Sequence, residues 1–204
     1  MSNSIADKVV NVELGDEVPR RGNRLSHVLA VVVLALLGWR IRGEFPNLSK
    51  VVLVVAPHTS NWDMVFGMLT MFALGLRLSF MGKHTLFRRP FGGIMNWLGG
   101  VPVIRHAPQG LIGQMIEGFA QRDRFLLAIL PEGTRSRVGQ WKLGFYHIAV
   151  GAGVPVLALK FDYGRKILEF GPTFHPTGNV EADLPQIQAI FQGIKGKNPQ
   201  NYGV

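Results

Sequence analysis

Five short runs along this chain are apolar at nearly every position: Val51–Val55, Leu78–Met81, Val101–Ile104, Phe125–Leu130 and Val154–Leu159. Between several of them lie segments of helical character, Trp62–Leu76, Leu111–Gln121 and Leu143–Val150. A strand that does not alternate polar and apolar residues is buried on both faces. Alternation of such strands with helices predicts an α/β layered fold, a mostly parallel sheet covered by helices. Lys166–Pro172 is a candidate further strand, and residues 180–194 a candidate closing helix. No internal repeat, low-complexity tract or linker interrupts the chain after Lys50, so residues 43–204 read as a single α/β domain.

The N-terminus follows another pattern. Residues 1–24 are largely polar and predict a flexible leader. Arg20, Arg21 and Arg24 then precede the apolar run Leu25–Trp39, and Arg40 and Arg42 follow it. A helix over this run would reach roughly 22 Å, short of the ~30 Å hydrocarbon core of a bilayer. The leader is too long and acidic for a cleaved signal peptide, and no small-x-small site follows. A buried core helix is one reading. The favoured one makes residues 25–42 an apolar membrane-associating helix in or on one leaflet, with Trp39 at the interface and flanking arginines on anionic headgroups.

Composition narrows the function. The chain has 204 residues, 47% hydrophobic and only 17% charged, with 22 Lys and Arg against 13 Asp and Glu, a net charge of +9. Such a surplus implies an anionic partner: lipid headgroups, phosphorylated substrates or nucleic acid. There is no cysteine, which excludes disulfides, a thiol nucleophile and thiolate metal sites.

Ligands of parallel sheets gather at the carboxyl ends of the strands, and three polar clusters fall there: Pro57–Asp63, Arg105–His106 and Pro131–Arg137. In the first, an imidazole at a strand end can take a proton from an alcohol. A carboxylate on its other nitrogen would fix the tautomer and stabilise the imidazolium. Ser60-Asn61-Trp62-Asp63 also matches a helix capping box. Spacing alone favours neither cap nor catalyst, and one carboxylate can serve both. The third cluster reads as an anion site. Gly133 permits close backbone approach, Thr134 and Ser136 offer hydroxyls, and Arg135 offers a fork suited to phosphate. Arg105 is a second phosphate candidate. On residue chemistry alone, Glu132 is favoured as a structural partner of a nearby arginine.

Together these residues resemble the glycerolipid acyltransferase family. His58-Thr-Ser-Asn-Trp-Asp63 looks like its H-x4-D motif, Gly99–Arg105 is similar to its second block, Pro131–Ser136 matches its EGTRS block, and Gly153–Leu159 resembles its fourth block. The second block departs in carrying Pro102-Val103 where an aromatic is common, and residues 140–149 follow the lysine-glycine segment only loosely. The resemblance implies a glycerol-3-phosphate acyltransferase-like fold and acyl transfer from an acyl thioester, acyl-CoA or acyl carrier protein (acyl-ACP), to a lysophospholipid hydroxyl. The acceptor it points to most strongly is 1-acyl-sn-glycerol-3-phosphate. His58 would then be the general base and Asp63 its orienter. Arg105, Glu132, Gly133, Thr134 and Arg135 would bind the acceptor phosphate, and Val154, Pro155 and Val156 would line the acyl-donor or acyl-chain side. Neither cofactor nor metal is implied. The partners implied are an anionic membrane surface, the lysophospholipid and the acyl donor, and no nucleic acid. The location implied is peripheral or monotopic, on the cytoplasmic face of the inner membrane.

Rival readings fit less. No serine sits in a G-x-S-x-G frame, no phosphate-binding glycine loop follows a strand, and the six histidines form no H-E-x-x-H pattern. Acylation of a different lysolipid or an amino-lipid remains an alternative. A non-catalytic basic membrane-surface protein would explain the charge, but it leaves the His58–Asp63 corner without a task.

Overall fold

The computed structural model describes residues 5–90, 92–104 and 110–203. In chain order the elements are α1 (Ile5–Val9), α2 (Arg24–Leu37), β1 (Arg40–Gly43), β2 (Lys50–Ala56), α3 (Trp62–Leu74), β3 (Leu78–Lys83), α4 (Gly92–Trp97), β4 (Gly100–Val103), α5 (Gly110–Ala120), β5 (Phe125–Ile129), α6 (Gly144–Ala152), β6 (Val156–Asp162), β7 (Ile167–Phe174) and α7 (Val180–Ala189). One seven-stranded sheet runs in the order β1-β7-β6-β2-β5-β3-β4. All pairings are parallel except β6 with β7.

Strand β2 lies at the centre because both its faces are greasy. Val51, Leu53 and Val55 point into a core built with Trp39, Phe66 and Met71, on the side of α2 and α3. Val52, Val54 and Ala56 point into the opposite core, with Met115, Phe119, Phe145 and Tyr146 of α5 and α6. Each Val or Leu so enclosed contributes roughly 1.5–3 kcal/mol of transfer free energy, enough to fix the register that aims the end of β2.

The N-terminal third differs from its sequence reading. Asn23 caps α2: its Oδ1 accepts from Ser26 N at 2.9 Å while Ser26 Oγ accepts from Asn23 N at 3.0 Å. The helix stops at Leu37, where Gly38 adopts φ +74° and donates to Ala35 O. Arg40–Gly43 is therefore edge strand rather than helix, paired in parallel with β7. Trp39, expected at a membrane interface, is only 4% exposed. The turn at Gly38 drives it inward, where it stacks on Phe66 at 4.1 Å and meets Tyr163 edge-on at 4.8 Å. The Arg42 guanidinium donates to Lys8 O and Ile41 O. The described part of the leader, from Ile5 on, is packed, with Val9 and Val18 in the core and Val10 bridged to Ile41.

Helix α2 is half core and half open. Ala30, Val31 and Leu34 are buried, whereas Leu25, Val28, Leu29, Val32, Leu36 and Leu37 are exposed, Leu36 at 82%. Among the described residues no helix is long and apolar enough to cross a membrane.

Candidate active site

The carboxyl edge of the parallel strands is where β2, β5 and β6 deliver their next residues. Beyond β2 the chain passes a cis Ala56–Pro57 peptide and turns through Thr59 and Ser60 into α3, which brings Asp63 back beneath His58. His58 Nδ1 lies 3.1 Å from Asp63 Oδ2; with its proton on Nδ1, the imidazole donates to the carboxylate. The imidazole is 19% exposed and the carboxylate 1%, so the base faces outward and its partner does not. Among the described residues no protein group bonds Nε2.

Asp63 is saturated. Its Oδ2 also accepts from Thr59 N at 2.8 Å and Ser60 N at 2.9 Å, and its Oδ1 accepts from Tyr163 OH at 2.5 Å. A buried carboxylate is tolerable only when its lone pairs are filled in this way. The capping and orienting readings are thus both present in one side chain. The reciprocal half of a capping box is not formed, because Ser60 Oγ accepts from Trp62 N instead. Burial and the neighbouring Asp63 push the Tyr163 phenol well above its ordinary range, so it stays a donor.

Glu132 follows β5 onto the same rim, and its partner is no arginine. Its Oε1 accepts from the backbone N–H of His58 at 2.7 Å, which splints the base to the neighbouring loop. No arginine pairs with it among the described residues. Oε2 is buried with no hydrogen-bond partner among the described residues. Burial raises the Glu132 pKa, partly opposed by the His58 amide. Gly133 sits at φ +65°, a left-handed conformation that favours glycine, with the flexible end of the Lys142 side chain alongside. Thr134 and Arg135 are exposed beyond it.

Two groups of expected site residues stand apart. Arg105 and His106 lie outside the described residues. Val154, Pro155 and Val156 are not on this rim: Val156 pairs with Val52 at the amino end of β6, and Val154 and Val156 are buried in the core. The four-residue step from Val52 to Ala56 alone sets ~13 Å between that level and the catalytic corner.

Other residues at the corner carried no local signal. Tyr163 is one, although its position directly after β6, on the same edge, is a clue. The C-terminal segment is another. Asn198 Nδ2 donates to Thr59 O at 2.7 Å and Asn198 N to Thr59 Oγ1 at 3.2 Å. Lys197 Nζ sits 4.5 Å above the Trp62 ring. Burial, with the charge of Glu132, raises the Tyr202 phenol.

The fold and this corner define an α/β protein with a paired histidine and aspartate at the carboxyl edge of its sheet. A profile described as Acyltransferase matches residues 39–161, and the chain belongs to that family, among the glycerolipid O-acyltransferases. The 1-acyl-sn-glycerol-3-phosphate acyltransferase of Haemophilus influenzae is 28% identical over 183 residues, covering 79% of this chain and 75% of that one. The Escherichia coli protein of the same description is 33% identical over 112 residues, and the match spans 52% of this chain and 44% of that one. The crystal structure of the 1-acyl-sn-glycerophosphate acyltransferase PlsC from Thermotoga maritima shares the fold, with a TM-score of 0.59 at 20% identity, over 83% of this chain and 77% of that chain.

Proposed function

We propose that this protein transfers a fatty acyl group from acyl-CoA or acyl-ACP to the free hydroxyl of a lysophospholipid, 1-acyl-sn-glycerol-3-phosphate, in phospholipid biosynthesis. The observation that carries the reading is the outward imidazole of His58 held by a saturated, buried Asp63. His58 Nε2 takes the proton of the acceptor hydroxyl as its oxygen attacks the thioester carbonyl. The imidazolium so formed is stabilised by Asp63, and the thiolate leaves with a proton returned from His58. Direct attack needs neither a covalent enzyme intermediate nor a metal. The acceptor phosphate is met by Arg135 and Arg105, with the Gly133–Thr134 backbone and hydroxyl beside them. Glu132 sets the base by holding the His58 amide.

The membrane reading rests on the open face of α2 and the net positive charge. Such a helix lies in the interfacial plane, peripheral or monotopic, on the cytoplasmic face of the inner membrane.

Thiol release from acyl-CoA and acyl-ACP, with and without the 1-acyl acceptor, tests the reading in wild type and His58→Ala. Acceptor-dependent release that vanishes in the variant is the expected result. Release independent of acceptor would make the protein a thioesterase. Release only with another lysolipid or an amino-lipid would move the acceptor and keep the chemistry.

A further inference from the structure

Two cavities, of about 490 and 420 Å³, open at the amino edge of the sheet, across the molecule from His58. The second is lined by Arg20, Arg21, Arg77 and Arg122, with Trp97 and the start of β4. The backbone brings two of these charges, Arg21 and Arg77, together. Arg20 and Leu76 form an isolated antiparallel bridge, in which Arg21 N donates to Gly75 O and Arg77 N to Pro19 O, each at 2.8 Å. Side chains alternate about such a bridge, so Arg21 and Arg77 share one face as diagonal neighbours, within reach of each other.

No acid answers them. Arg124 nearby reaches Glu17 at 3.8 Å. Among the described residues no carboxylate lies within 4.0 Å of Arg20, Arg21, Arg77 or Arg122. Burial, and secondarily the charge of Arg77, lower the pKa of Arg21. The guanidinium of Arg21 nevertheless stays in place, 5.0 Å over the Trp97 ring and donating to Trp97 O. Arg122 is tied to Gly118 O, whereas Arg20, on the other face of the bridge with Leu76, donates to Leu14 O beside the first cavity. Guanidiniums fixed side by side without a counter-charge form a cradle for phosphate.

The surroundings select the kind of phosphate. The adjoining first cavity shares Arg20 and Arg21 with this one and is lined by Arg24 and His27 of α2, whose Leu25 and Leu29 are open to solvent, and Trp97 is 62% exposed. A free anion needs no apolar flank, whereas a phospholipid has a phosphate joined to acyl chains, and tryptophan favours the boundary between them. We propose that the cavity lined by Arg21, Arg77 and Arg122 holds the phosphate of an anionic phospholipid while the outward face of α2 lies against its acyl region. The site rests on the membrane-surface reading above and gives it a residue-level anchor, separate from the acceptor site. The 14 residues of α2, ~21 Å of helix, run from this anchor to Trp39, beneath the catalytic corner. An anchoring lipid and a substrate lipid are thereby bound at opposite ends of one helix.

Co-sedimentation at low salt with phosphatidylcholine vesicles, with and without phosphatidylglycerol, tests this using the full chain. Wild type should prefer the anionic vesicles. R21Q/R77Q should lose that preference by roughly 30-fold, at ~1 kcal/mol per basic residue, with binding to neutral vesicles and turnover of monomeric substrate unchanged. R21K/R77K keeps the charge and should retain most of the preference, which guards against a misfolded glutamine variant. A glutamine variant that binds like wild type, or a lysine variant that fails equally, would overturn the site. Wild type binding both vesicles equally would overturn the site and leave the membrane reading standing. Wild type binding neither would sink both. Displacement by inorganic phosphate at matched ionic strength would overturn the lipid as its source and leave a free-phosphate site.

Discussion

At the carboxyl edge of the sheet, Asp63 is 2% exposed and receives four hydrogen bonds, from His58, Thr59, Ser60 and Tyr163. At the amino edge, Arg21, Arg77 and Arg122 line a cavity with no carboxylate in reach among the described residues. One edge satisfies its charge inside the protein and exposes an imidazole; the other fixes its charges and leaves them unanswered. The first arrangement is prepared to move a proton, because nothing around the carboxylate needs to rearrange when the imidazole gains one. The second is prepared to take up a counter-ion.

The sharpest way to break the catalytic half of that comparison is Asp63→Asn. The amide cannot accept at both positions, so its NH2 group must face either the imidazole and the two loop N–H groups or the Tyr163 hydroxyl. We expect kcat to fall roughly a thousandfold, within the range of general-base contributions, in a protein that circular dichroism shows to be folded. An enzyme that keeps most of its rate would show that Asp63 is only a helix cap. Tyr163→Phe is subtler, since it removes the single donor to Oδ1 and leaves the ring between Trp39 and Phe66. A loss of about tenfold in kcat with KM unchanged, the equivalent of ~1.4 kcal/mol, is expected. In the Asp63→Asn background it should cost nothing further. Additive losses would mean that Tyr163 does not act through Asp63.

Arg135→Gln should leave kcat alone and raise acceptor KM, by roughly fivefold because water screens so exposed a charge. An unchanged acceptor KM would remove Arg135 from the phosphate site.

The parts of the fold legible in the sequence are those whose signal is local. Lys50–Ala56 is buried along almost its whole length, so it is apolar throughout and easily read. Arg40–Gly43 is an edge strand in which only Ile41 is fully buried, and its arginines made it look like the flank of a helix. Half of α2 was read correctly as apolar and half wrongly as uniform, because composition does not say which side of a helix meets a sheet. The His58–Asp63 pair was legible from its resemblance to the H-x4-D motif, since spacing alone leaves cap and catalyst open. Tyr163 and Asn198 reach the same corner across 100 and 139 residues, and no local pattern encodes such contacts. Val154–Val156 were placed at the site by resemblance, whereas β6 runs parallel to β2 and so starts at the opposite edge.

Glu132 is where the carboxyl edge departs from its own rule, and it yields the smallest and most specific prediction. One oxygen holds the His58 amide; the other is buried without a partner among the described residues. Burial raises its pKa above the ordinary 4.5, so between the unfolded and folded values the native state holds the proton more tightly than the unfolded chain does. Stability contributed by this group is therefore present at acid pH and lost as pH rises through the folded value. Glu132→Gln keeps an acceptor for His58 N and cannot ionise. The amide NH2 that replaces Oε2 brings its own cost, but one that does not change with pH. The difference in unfolding midpoint, variant minus wild type, should accordingly grow more positive as pH rises from about 4 toward neutrality, whatever its sign at the start. A difference that stays flat across that interval would mean the buried carboxyl does not titrate there and that its lone oxygen is satisfied in solution.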